Sequence, residues 1–142
     1  LPYCIENVVG ARDHLISPLL LCGTMFGLET PDEAFELQRH RLFETSFPID
    51  DVPACRHSGH PVIGIYGGHF RDRRRDAGEN HRSGSNIPRE HGFFAMGVPL
   101  DSMTNDELSE AIPPAYAQYI AEAFLRWRAA TLAGAEAVRQ TG

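Results

Sequence analysis

The chain has 142 residues, 42% of them apolar and 23% charged, with a formal net charge of −6, values that suit one domain with its own core and argue against a general nucleic-acid glue. No run approaches the roughly 18 apolar residues of a membrane span, and the first residues lack the basic-then-apolar pattern of a secretion leader. Three cysteines, Cys4, Cys22 and Cys55, fit reduced, cytoplasmic thiols better than a disulfide framework.

Tyr3 to Val9 reads as a short buried strand, and its near-continuous apolar character suits a parallel sheet covered on both faces. Arg12 to Pro18 is a connection or a helical turn. Leu19 to Cys22 reads as a second short strand, ended by Gly23. Pro31 to Phe35 is turn-like. Arg39 to Phe47 alternates and stops at Pro48, which predicts a strand. Pro61 to Tyr66, PVIGIY, is a clearer one, rich in β-branched residues and closed by Gly67-Gly68. From His69 to Glu90 the sequence is polar, rich in Gly, Ser and Arg, and without period, so a functional or unstructured insert is expected. Phe93 to Val98 resumes an apolar stretch. Thr104 and Glu107 spell a capping box that opens a short helix to about Ala111. Pro114 then suits the first turn of a longer helix, with Tyr116, Ile120, Ala123, Phe124 and Trp127 on one face, fraying near Gly134.

Charge is unevenly spread. All 13 basic residues are arginine. Between His69 and His91 stand Arg71, Arg73, Arg74, Arg75, Arg82 and Arg89 against Asp72, Asp76, Glu79 and Glu90. Arginine suits bidentate contact with phosphate and guanine edges, although a run of charge also suits a solvated loop. Cys55, His57 and His60, followed by His69, His81 and His91, are residue types that zinc takes. Their spacing matches no usual pair such as CxxC or HxxxH, and no metal is assigned.

Three stretches in this order, PYCIENV (Pro2–Val8), RHRLFET (Arg39–Thr45) and AMGVPLDSMTNDELSEAIPPAYAQYI (Ala95–Ile120), with LLLCGTMFGL (Leu19–Leu28) between the first two, resemble the C-terminal part of cytosine-specific C5 DNA methyltransferases of the compact phage and prophage kind. The resemblance implies an α/β fold: the C-terminal part of a Rossmann-like sheet that binds S-adenosylmethionine, with a short target-recognition insert and C-terminal helices. It divides the chain into 1–66 with the sheet strands, 67–92 with the insert, and 93–142 with the closing segment. In that family the ENV glutamate stabilises charge that develops at cytosine N3, so the resemblance implies this role for Glu6. Arg39 and Arg41 match the two arginines of the family's QxRxR motif, which help fix the cytosine. Here the pattern departs: Leu37 stands at the glutamine position and Gln38 in the variable slot. Asn7, Ile112, Pro113 and Pro114 are implied on the cofactor side, with Asn7 also holding a local turn. The arginines Arg71, Arg73, Arg74, Arg75 and Arg82 are implied on duplex DNA.

The family's Gly-rich cofactor strand–turn–helix and its PCQ nucleophile do not occur in these residues, and neither Cys4 nor Cys22 is taken as a nucleophile. The chain is therefore expected to be a C-terminal fragment, inactive alone and completed by the missing N-terminal half of the same enzyme or by a separate chain, in a bacterial cytoplasm. A non-catalytic DNA-binding remnant is the other reading.

Overall fold

A computed structural model describes residues 1–66, 69–73 and 87–140. Its strands are β1 (Cys4–Asn7), β2 (Leu19–Leu21), β3 (Arg41–Thr45), β4 (Val62–Tyr66) and β5 (His69–Arg73); its helices are α1 (Arg89–Met96), α2 (Asn105–Glu110) and α3 (Pro114–Gln140). Two short 3₁₀ turns, Val9–His14 and Gly23–Phe26, follow β1 and β2.

The strands form two small sheets, one ordered β1-β3-β2 and the other the pair β4-β5, and all of these named pairings are antiparallel. β3 is central because it is the strand buried along its middle. β1 matches Cys4 to Thr45 and Asn7 to Leu42, while β2 matches Leu19 to Phe43 and Leu21 to Arg41. This corrects the expectation of a buried parallel strand at Tyr3–Val9. β1 is an edge strand, and Ile5 on it is 44% exposed. An apolar run shows that a strand has apolar neighbours to find; it does not show how many faces this chain covers for it.

β1 is nevertheless held firmly. The buried Glu44 on β3 accepts a 2.9 Å hydrogen bond from the Tyr3 hydroxyl and a 2.6 Å one from the Ile16 amide. One carboxylate thus ties both ends of the segment that carries Glu6.

Two apolar clusters share the core. One joins Leu37 and the β4 residues Ile63 and Ile65 to Phe93 and Met96 of α1 and Leu108 of α2. The other packs Leu21 and Phe43 of the three-stranded sheet, with Phe47, against Tyr116, Ile120 and Ala123 of α3. Leu28 touches both, so the segment after β2 is the seam of the molecule. The spacing of Tyr116, Ile120 and Ala123 is one helical face, as expected.

The polar segment from His69 to Glu90 is not structureless at its ends. β5 pairs antiparallel with β4, His69 opposite Tyr66 and Arg73 opposite Val62. α1 begins at Arg89. Its eight residues make a weak helix alone, and Phe93 and Met96 supply the packing that fixes it. The Thr104–Glu107 capping box forms as the sequence predicts: the Thr104 hydroxyl accepts from the Glu107 amide at 3.2 Å and Glu107 accepts from the Thr104 amide at 2.7 Å. α3 starts at Pro114 and continues past Gly134 to Gln140, because one glycine costs a helix only about 1 kcal/mol against alanine. Among the described residues no helix is long and apolar enough to cross a membrane.

Candidate functional site

Glu6 and Arg41 meet. Glu6 lies opposite Phe43 in the β1–β3 register, and Arg41 lies two residues from Phe43 on the same strand, hence on the same face. Such diagonal neighbours across an antiparallel pair are within reach of a long side chain. The Arg41 Nε–Glu6 Oε1 distance is 2.9 Å, with the arginine side chain 18% exposed and the glutamate 34%. Arg41 Nη1 also donates to the His40 carbonyl at 3.2 Å.

Arg39 does different work. Its guanidinium is drawn inward, donating through Nη2 to the Ser109 carbonyl at 2.6 Å and more loosely through Nη1 to the Ile65 carbonyl at 3.5 Å. Its Nε is buried without a partner among the described residues. Burial, with the charge of Arg41 beside it, lowers the guanidinium to about 10. The buried Tyr116 hydroxyl donates to the Arg39 carbonyl at 2.6 Å, and desolvation pushes that hydroxyl up. Arg39 therefore clamps the approach to β3 against β4, α2 and α3, and Arg41 is the arginine that faces the acid.

This division sets an expected result. Arg39→Ala strands buried carbonyl groups and leaves a void, at a cost of about 2–4 kcal/mol. Arg41→Ala removes a partly exposed ion pair, which is worth about 1 kcal/mol at most. Urea denaturation of the two variants checks the contrast; equal losses would remove the distinction.

Two hollows flank the pair. A polar cleft of about 370 Å³ is lined by Arg39, His40, Arg41, Tyr66 and Ser109 among others. An apolar one of about 400 Å³ is lined by Glu6, Phe43, Ile112, Ala117 and Phe124 among others. The acid and its arginine thus stand between a polar and an apolar hollow.

The remaining sequence-derived positions are placed unequally. Asn7 Oδ1 accepts from the Val8 amide at 2.9 Å, a local turn contact. Ile112 lines the apolar hollow, Pro113 is fully buried and Pro114 opens α3. Leu37, at the glutamine position of the arginine motif, is a core residue, and Gln38 donates to Glu36 at 2.5 Å. Arg71 and Arg73 take β5 register positions opposite Gly64 and Val62. Arg74, Arg75 and Arg82 lie outside the described residues. Burial, and then the neighbouring Glu6 carboxylate, push the Cys4 thiol up, the reverse of what activates a nucleophile.

Sequence reasoning missed two features. Glu36 is a buried carboxylate, 4% exposed, that accepts from the Ser58 amide at 2.9 Å and the Ser58 hydroxyl at 2.6 Å. And Cys55 and His57, noted in the sequence as zinc-type residues with no metal assigned, converge with Cys22 and His40, the four ligand atoms all within 4.8 Å of one another. His91 instead sits 4.0 Å from Asp32. The only sequence signal for the cluster was the Cys-x-His pair; its other members come from distant segments.

Compared with known protein families, with curated proteins and with solved structures, the chain matches none.

Proposed function

We propose that this chain is the base-recognising, C-terminal part of a DNA (cytosine-5)-methyltransferase. The observation that carries the reading is the 2.9 Å Glu6–Arg41 pair, a carboxyl lining the apolar hollow held by an arginine that lines the polar cleft. A target cytosine has to leave the duplex to be reached, and is then read along its Watson–Crick edge. Attack at C6 drives electron density toward N3. Glu6, once it has taken up a proton from solvent, donates it in a hydrogen bond to N3 and so stabilises that charge. Arg41 orients Glu6 and presents its remaining N–H groups to the base, while Arg39 keeps the strand entry fixed.

S-adenosylmethionine, when bound, supplies the methyl group. Ile112 in the apolar hollow beside Glu6, followed in the chain by the buried Pro113, fits one wall for it, and Asn7 and Pro114 are assigned to the cofactor side as sequence neighbours of Glu6 and Pro113. Other walls, and the attacking thiolate, belong to another part of the enzyme, which fits the high position of the Cys4 thiol and the unshared apolar edge of β1 among the described residues. Arg71, Arg73, Arg74, Arg75 and Arg82 supply phosphate or guanine contacts. The setting is the cytoplasm of a bacterial host, where duplex DNA and the methyl donor meet.

The test begins with the coding DNA upstream of the Leu1 codon. An open frame or a neighbouring gene carrying a Gly-rich strand–turn–helix and a PCQ motif is expected, and its product joined to this chain should move labelled methyl groups onto cytosine. Salt-dependent DNA binding without methyl transfer by the joined product would instead make the chain a binding remnant and overturn the proposal.

A further inference from the structure

We infer that Cys22, His40, Cys55 and His57 form a structural zinc site. The inference stands on its own geometry and does not rest on the methyltransferase reading.

Two of the four residues are brought together by the sheet. β2 and β3 are antiparallel and pair Leu19 with Phe43, Leu20 with Leu42 and Leu21 with Arg41. One step further along that register sets Cys22 beside His40. The other two come from the connection between β3 and β4, where Cys55 and His57 flank a single residue. That connection is pinned next door: Glu36 takes both the amide and the hydroxyl of Ser58. The four side chains therefore meet on backbone that is already fixed, as a metal site requires.

The distances suit zinc. Cys55 Sγ lies 3.2 Å from His57 Nε2 and 3.4 Å from His40 Nε2, and Cys22 Sγ lies 3.6 Å from His57 Nε2. With Zn–S of about 2.3 Å and Zn–N of about 2.0–2.1 Å, a tetrahedron has sulfur-to-nitrogen edges of about 3.5 Å. A chain of hydrogen bonds would need only successive neighbours to be close. Here all four ligand atoms lie within 4.8 Å of one another, a group that closes onto a common centre with small side-chain rotations.

The donor set selects the metal. Two sulfurs and two imidazole nitrogens favour zinc over the oxygen-seeking magnesium and calcium. Four protein ligands fill a tetrahedron and leave no position for substrate, so the site is structural. On binding, Cys22 and Cys55 each release a thiol proton to solvent and ligate as thiolates. The Thr24 hydroxyl, 3.2 Å from Cys22 Sγ, supports that sulfur from outside the coordination shell. The consequence reaches β3: His40 lies between Arg39 and Arg41, so the ion would hold the strand entry from its far side.

The experiment uses the whole chain, purified under reducing conditions and loaded with zinc or with cobalt(II). About one zinc per chain is expected after gel filtration. Cobalt should give the intense visible bands of a tetrahedral centre together with thiolate-to-cobalt charge transfer. Cys55→Ser and His40→Ala should each abolish stoichiometric uptake, and Cys4→Ser, on β1, should leave it intact. Should either variant lose its fold, the wild-type chain decides: a strong chelator should lower its thermal midpoint, and equimolar zinc should restore it. No uptake of either metal, an octahedral cobalt spectrum, uptake indifferent to Cys55→Ser, or a Cys22–Cys55 disulfide in place of bound metal would overturn the inference.

Discussion

On the proposed methyltransferase reading, Glu6→Gln in the enzyme completed by its cofactor-binding half should lower the rate of methyl transfer by about 10²–10³-fold, while duplex affinity stays within about twofold. Glutamine keeps the size and the hydrogen-bonding reach of glutamate. It cannot supply the proton or the strong charge-assisted hydrogen bond that a carboxyl offers N3 as electron density builds there. The interaction is made in the transition state more than in the bound complex, so the loss belongs to kcat rather than to binding. Arg41 remains folded over the site in this variant, because its bond to the His40 carbonyl does not depend on Glu6. Single-turnover methylation with labelled donor reads the rate, and a titration of duplex at two salt concentrations reads the binding. A variant as fast as the wild type would remove Glu6 from the chemistry.

The sequence exposed this site through local pattern, and pattern reached as far as neighbouring strands. β3, β4, the capping box of α2 and the Pro114 start of α3 are all local signals, each resting on alternation, a cap or a proline. Glu6 and Arg41 come from two separate motifs, and their union needed only the pairing of β1 with β3. What stayed illegible depends on contacts between distant segments. The exposure of β1 is set by which strands stand beside it, not by its own composition. The cluster of Cys22, His40, Cys55 and His57 is assembled by a strand register and by Glu36 holding Ser58. Neither follows a fixed spacing. The division of labour between Arg39 and Arg41 was equally hidden, since alternation along a strand does not say that one guanidinium turns inward to the carbonyls of Ser109 and Ile65.

Gly23→Ala should cost the fold about 3 kcal/mol, the upper end of what overpacking a well-packed site usually costs, and lower the thermal midpoint by about 10 °C. Gly23 follows Cys22 and opens the turn after β2. A methyl group there would be driven well inside contact distance of the Leu37 carbonyl oxygen, with the Leu37 backbone carbon and Cβ close behind. The obstacle is backbone, so no side chain can swing aside. Leu37 cannot retreat either: it is fully buried in the core, and its amide is bonded to the Leu28 carbonyl at 2.9 Å while the Leu28 amide is bonded to the Gly23 carbonyl at 3.0 Å. The strain therefore spreads along the segment that leads directly to Arg39, His40 and Arg41. Gly134→Ala is the counterpart, because nothing lies within 4 Å of a methyl group there; in the middle of α3 it should stabilise by about 0.5–1 kcal/mol. Thermal and urea denaturation of both variants read the difference. A Gly23→Ala chain as stable as the wild type would mean that the Gly23–Leu37 approach is not what holds the Cys22 turn against the entry to β3. A large loss would also weaken zinc uptake, because the displaced turn carries Cys22 away from His40.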